Sequence, residues 1–149
     1  MKVNYIVAFS SMQKQQIIDK YGLDGGRTQK VIDSSFMSYL DKYMPMDSGQ
    51  MIVSMYNSTK VGNGEININT PYAHYQHEGI KYIDPKYKIG AFHDPISGRY
   101  WSRPGIKKIP SGQKLNYHGG ASRGDHFVER TITDHFEDIL NAGQKEIDK

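Results

Sequence analysis

A chain of 149 residues, 37% hydrophobic and 23% charged, suffices for one well-packed domain and has the composition of a globular rather than a disordered polymer. It contains no cysteine, which excludes disulfide frameworks, cysteine-ligated zinc and thiol catalysis. The net charge of +3 is divided unevenly. Residues 1–79 balance, 80–124 hold nine Lys/Arg against only Asp84 and Asp94, and 125–149 hold seven Asp/Glu against three Lys/Arg. Such asymmetry bears on partners more than on fold.

In chain order, Ile6-Val7-Ala8-Phe9 is too short for a signal sequence, and no apolar run approaches a membrane span, so a soluble, cytoplasmically made protein is expected. Met12–Tyr21 reads as a short helix with Ile17, Ile18 and Tyr21 on one face and Gly22 as its stop. From Arg27 to Met44 the apolar residues Val31, Ile32, Phe36, Tyr39, Leu40, Tyr43 and Met44 recur at helical spacing, and Pro45 ends the run. Asp47-Ser48-Gly49 is a turn. Met51–Thr59 alternates well enough to predict a strand, Val61–Glu65 a hairpin turn, and Glu65–Thr70 a strand with one buried face. Pro71 to Gly79 also predicts a short strand. Residues 80–124 differ in kind, with seven glycines, four prolines and six aromatics; within them Phe92–Trp101 predicts a hairpin around a Pro/Gly turn. Asp125–Ala142 is an amphipathic helix, with Ser122 or Asp125 as candidate caps. These elements predict one α+β domain over 1–149. In it, N-terminal helices and the C-terminal helix pack on a small antiparallel sheet, from which the basic segment projects.

Three constellations could carry chemistry. His74-x-x-His77-Glu78 has metal-ligand character, but it lacks the spacing of zinc hydrolases, and on a strand the two rings would point to opposite faces. His93-Asp94 and His118 could form an acid–base pair, but no nucleophile elbow and no phosphate loop accompanies them. Arg123-Gly124-Asp125 spells an adhesion tripeptide by chance. The basic segment, with aromatics interleaved, suits either nucleic acid or an acidic protein neighbour, such as the C-terminal helix of a second identical subunit.

Leu40–Ser54, which reads LDKYMPMDSGQMIVS, resembles the "YvPxxtGxLxxS" passage of minor capsid proteins of long-tailed bacteriophages and prophages of Gram-positive bacteria. Gly64-Glu65-Ile66 through Thr70-Pro71-Tyr72-Ala73-His74-Tyr75-Gln76-His77-Glu78-Gly79 resembles the family's "g-I-x-y-n-T-P-Y-A-r-x-q-y-x-G" stretch. Gly124-Asp125-His126-Phe127-Val128-Glu129-Arg130, with Asp134-His135 and Ile139-Leu140, is similar to its closing "G-x-x-W-F-E-R…D-H…I-L" helix. The blocks come in the family's order. This chain departs from it at His74, where arginine is usual, and at His126, where Trp often precedes Phe. The resemblance implies a head–tail connector or neck component, or a tail completion ring. It would be a structural, non-enzymatic protein with no cofactor, no metal and no membrane association. It would act in the virion neck as a homo-oligomeric ring, expected to be six-fold, beside other neck and tail proteins and near DNA. The interface residues expected are Tyr82, Tyr87, Phe92, Tyr100 and Trp101, with Arg99, Arg103, Lys107 and Lys108 as charge partners; Pro45, Gly49, Pro71 and Tyr72 are assigned to the scaffold.

Overall fold

The computed structural model describes residues 1–4, 16 and 20–149, so most of the helix expected over Met12–Tyr21 lies outside the described residues. Helix α1 spans Arg27–Tyr43 and buries Phe36 and Leu40, at the four-residue spacing read from the sequence, together with Met37, which that reading left out. Met44, fully buried, closes it before Pro45. The α+β class holds, and among the described residues every strand pairing is antiparallel, although the strands form three separate two-stranded ladders rather than one sheet.

Two segments expected to be strands are helices. Gln50–Ser58 forms α2, with Gly49 in the left-handed region at φ 77° as its N-cap. The helical turn puts Met51, Ile52 and Met55 together against the core and leaves Val53 and Tyr56 outside. An extended chain would have split these residues between two faces. Ala73–Glu78 forms α3, closed by Gly79 at φ 74°. A side chain at Gly79 would lie 2.6 Å from Cβ of Asp125, so both the backbone angle and the close approach call for glycine.

Strand β1 (Lys2–Asn4) pairs with β2 (Glu65–Asn67), placing Ile66 in the core, with fully buried Ile68 just beyond it. The turn before β2 therefore joins a helix to a strand and is not a hairpin. Its Gly62 and Gly64 amides donate to Oδ2 of buried Asp33 on α1, at 2.6 and 3.2 Å. Burial pushes the Asp33 carboxyl up, against the opposing effect of these amide donors.

Residues 80–124 leave this body as a long arm. Strand β3 (Ile80–Ile83) pairs with β6 (Ile109–Lys114), and β4 (Phe92–His93) pairs with β5 (Tyr100–Trp101) in the expected hairpin. Helix α4 (Phe127–Ile147) then packs along α1. Any side chain at Gly143 would meet Ile32 at 2.9 Å, so glycine lets the two helices approach. Neither expected cap serves α4: His126 takes that position at φ 46° without a side-chain bond, Asp125 lies against Gly79, and the Ser122 hydroxyl donates to the Lys42 carbonyl at 3.0 Å. Among the described residues no helix is long and apolar enough to cross a membrane.

Candidate functional site

The arm begins with a repeated local design. In Asp84-Pro85-Lys86-Tyr87-Lys88-Ile89 the Asp84 amide donates to the Ile89 carbonyl, the Lys88 amide to the Asp84 carbonyl, and the Lys86 amide to Asp84 Oδ1. In Asp94-Pro95-Ile96-Ser97-Gly98-Arg99 the same three bonds recur: Asp94 to Arg99, Gly98 to Asp94, and Ile96 to Asp94 Oδ1. Proline fixes one backbone angle and the aspartate oxygen gathers amides, which is how Asp-Pro sequences make turns. The fifth position is left-handed in both, held by Lys88 at φ 57° in the first and Gly98 at φ 71° in the second.

Asp84 is also clamped by Arg103, whose Nε and Nη2 donate to its two carboxylate oxygens at 2.7 and 2.8 Å. This fork, with help from the Lys86 and Tyr87 amides and against the cost of burial, holds the Asp84 carboxyl well below the usual carboxylate range. The guanidinium lies over the Tyr87 ring at 5.1 Å; Tyr87 meets Phe92 edge-on at 5.3 Å, and Phe92 stacks on Trp101 at 4.5 Å. Arg103, Tyr87, Phe92 and Trp101 are thus one continuous stack, whose geometry favours both the ring pairs and the cation.

The expected interface residues separate accordingly. Tyr82 stands at the root of the arm, donating to Glu78 Oε2 at 2.8 Å, a bond that raises its phenol above the ordinary tyrosine value. Lys108 donates to the Gly90 carbonyl. Arg103 is an internal clamp, its charge matched within the chain by Asp84. Arg99, Tyr100 and Lys107 face outward, and one face of Trp101 remains open. The arm's second acid, Asp94, is likewise committed, with the Ser97 hydroxyl and the Ile96 amide holding its carboxyl below the ordinary value. Lys81, Lys86, Lys88, Arg99, Lys107 and Lys114 are exposed, and none forms an ion pair with a carboxylate among the described residues. The surface of the arm is therefore cationic and aromatic, with its counter-charges turned inward.

His74 and His77 share helix α3 instead of opposing each other on a strand, yet each ring has its own carboxylate: Glu78 Oε1 at 3.0 Å for His74 and Glu129 Oε2 at 2.7 Å for His77. His93 packs on Tyr100, while the neighbouring Asp94 is spent in its turn; His118 accepts the Met46 amide through its backbone carbonyl. Among the described residues no three His, Asp or Glu side chains are placed to hold a metal ion.

Two joints escaped the sequence reading. Tyr43, at the end of α1, donates to Asp134 Oδ2 at 2.6 Å; its ring lies under Arg130 and beside His135, which also meets Asp138 at 3.0 Å. The spacing of Arg130, Asp134 and Asp138 along one face of α4 was the available signal, but nothing in the sequence pairs it with Tyr43. In the adhesion-like tripeptide, the Arg123 guanidinium donates to the Asp41 and Met44 carbonyls and the Gly124 amide to the Tyr43 carbonyl. This caps the unsatisfied C-terminal carbonyls of α1. No protein-family model, no curated protein and no solved structure matches the chain.

Proposed function

We propose that this chain is a structural component of the neck that joins the DNA-filled head of a tailed bacteriophage, or of a prophage particle, to its tail. The observation that carries the reading is the ordered set of three sequence blocks, whose residues pack together into one scaffold. Tyr43 of the first block meets Arg130 and Asp134 of the third, and His77 and Gly79 of the second meet Glu129 and Asp125 of the third. The arm is inserted between the second and third blocks.

In this reading the body fixes the root of the arm, and the arm presents cationic and aromatic groups to neighbouring proteins of the neck. A ring requires two complementary faces on each subunit, and the contrast between a basic arm and an acidic C-terminal segment supplies them. The role calls for no catalytic group. Cryo-microscopy of virions tests the proposal. The expected result is density for this fold between portal and tail, and loss of the gene should leave filled heads and finished tails unjoined. Particles that join normally without the protein would refute it. The exposed cations and open aromatic faces of the arm also support a nucleic-acid-binding reading. That reading expects duplex affinity to fall steeply with salt, and to fall further when Lys107 and Lys108 are neutralised.

A further inference from the structure

Helix α4 carries an apolar stripe that the described residues leave half open. Ile132, Phe136 and Leu140 recur every fourth residue, and Phe136 is 50% exposed. Glu129, Thr133 and Glu137 run alongside this stripe one position further round the helix. Glu137 forms no ion pair with a cation among the described residues. Single exposed apolar residues need no explanation, whereas three at helical spacing beside an exposed carboxylate form a stripe suited to contact with another surface.

The group that fits such a stripe is present on the same molecule. At the tip of the arm Ile96 is 96% exposed and Tyr100 73%, with Trp101 beside them and with Arg99 a cation that has no carboxylate partner among the described residues. Strands β4 and β5 have their principal packing with each other, and Phe136 has no ring contact among the described residues. The two surfaces are opposite in charge, alike in apolar character and different from each other. That is the requirement for a head-to-tail contact, whereas an isologous dimer needs a single self-complementary patch. We infer that the hairpin tip of one subunit docks on the Ile132–Phe136–Leu140 stripe of a second copy, with Arg99 facing Glu137. This deepens the neck reading, on which it rests, by naming the two faces that meet around the ring.

The absence of cysteine makes a direct test possible. Two full-length variants, Tyr100→Cys and Phe136→Cys, are mixed under mild oxidation, with circular dichroism confirming that each is folded. Docking raises the effective concentration of one thiol at the other, so the mixed disulfide should form at least about tenfold faster than either same-variant disulfide. Adding Glu137→Arg to the Phe136→Cys chain should slow it, and adding Arg99→Glu to the Tyr100→Cys chain should restore it. Three disulfides at statistical rates would overturn the inference, as would one same-variant disulfide outpacing the mixed one. Statistical rates together with duplex DNA binding that is lost in Arg99→Glu would overturn it in favour of nucleic acid. The two readings fail separately. Statistical rates with the protein still seated in virion necks would remove this contact alone. A fast mixed disulfide with the protein missing from necks would remove the neck reading and leave the contact standing.

Discussion

The body and the arm of this molecule are held together by different physics. In the body, Phe36, Met37, Leu40, Met44, Met55, Ile66, Ile68 and Phe127 are buried almost completely and pack on one another. Between residues 80 and 123 the one side chain as deeply buried is Asp84, a carboxylate. The arm is organised around a charge. Its order comes from amides and a guanidinium converging on that carboxylate, and from rings stacked above the guanidinium. A region built this way needs no core of its own and can project into solvent. It is also exposed to perturbations that a core of methyl and methylene groups does not feel.

The largest expected effect lies in the body. Leu40→Ala removes a fully buried side chain and should cost about 2–5 kcal/mol of global stability, read as a lowered denaturant midpoint. Arg103→Ala should break the comparison from the other side. It strands the Asp84 carboxylate, so amide protection from hydrogen exchange should collapse across residues 80–114 and Trp101 fluorescence should shift to the red, while the global midpoint stays near wild type. If the global midpoint instead fell as far as in Leu40→Ala, body and arm would be one cooperative unit.

Acid should act on the two regions with opposite sign. The folded-state pKa of Asp84 is depressed, so its contribution is present above the unfolded carboxylate value of about 3.9 and is lost progressively as pH falls toward the lower folded value. That of Asp33 is raised, so the folded body takes up this proton first, and Asp33 protonation adds stability as pH falls through its folded value. Hydrogen exchange followed from pH 6 to pH 3 should show the arm loosening while amides of the body that exchange only through global unfolding lose no protection from the Asp33 titration. The smallest effect sharpens the likeness of the two Asp-Pro turns. Gly98→Ala forces a side chain into the left-handed region and should cost about 1 kcal/mol locally. Lys88→Gly relieves the same strain, offset by glycine's chain entropy, and should change local stability by less than about 1 kcal/mol. Exchange rates within each turn distinguish the two outcomes.

What could be read from the sequence follows from how local each feature is. Helix α1 was legible because Phe36, Leu40 and Met44 repeat over about two turns and Pro45 stops them. The β4–β5 hairpin was legible because Pro95 and Gly98 fix its turn within a few residues. Helix α2 was misread because Met51-Ile52-Val53 has no clear period, and nine residues leave little room for one to emerge. Helix α3, six residues long, is shaped largely by distant groups: the His126 amide donates to its His77 carbonyl, and Asp125 closes on Gly79. The arm's aromatics were legible as a set, but their inward stacking depends on Arg103 finding Asp84 nineteen positions earlier, and composition alone does not encode that pairing.

The clamp made by Arg123 has a mechanical consequence. The arm enters at Gly79, the end of α3, where the Leu115 amide ties its returning leg to the Gly79 carbonyl. It leaves through Arg123 and Gly124, whose donors are fastened to the last carbonyls of α1. Tension applied at the hairpin tip is therefore divided between two legs and delivered to the ends of two different helices. The arm is a tether with two anchor points, stiff against swinging and able to pass load directly into the body.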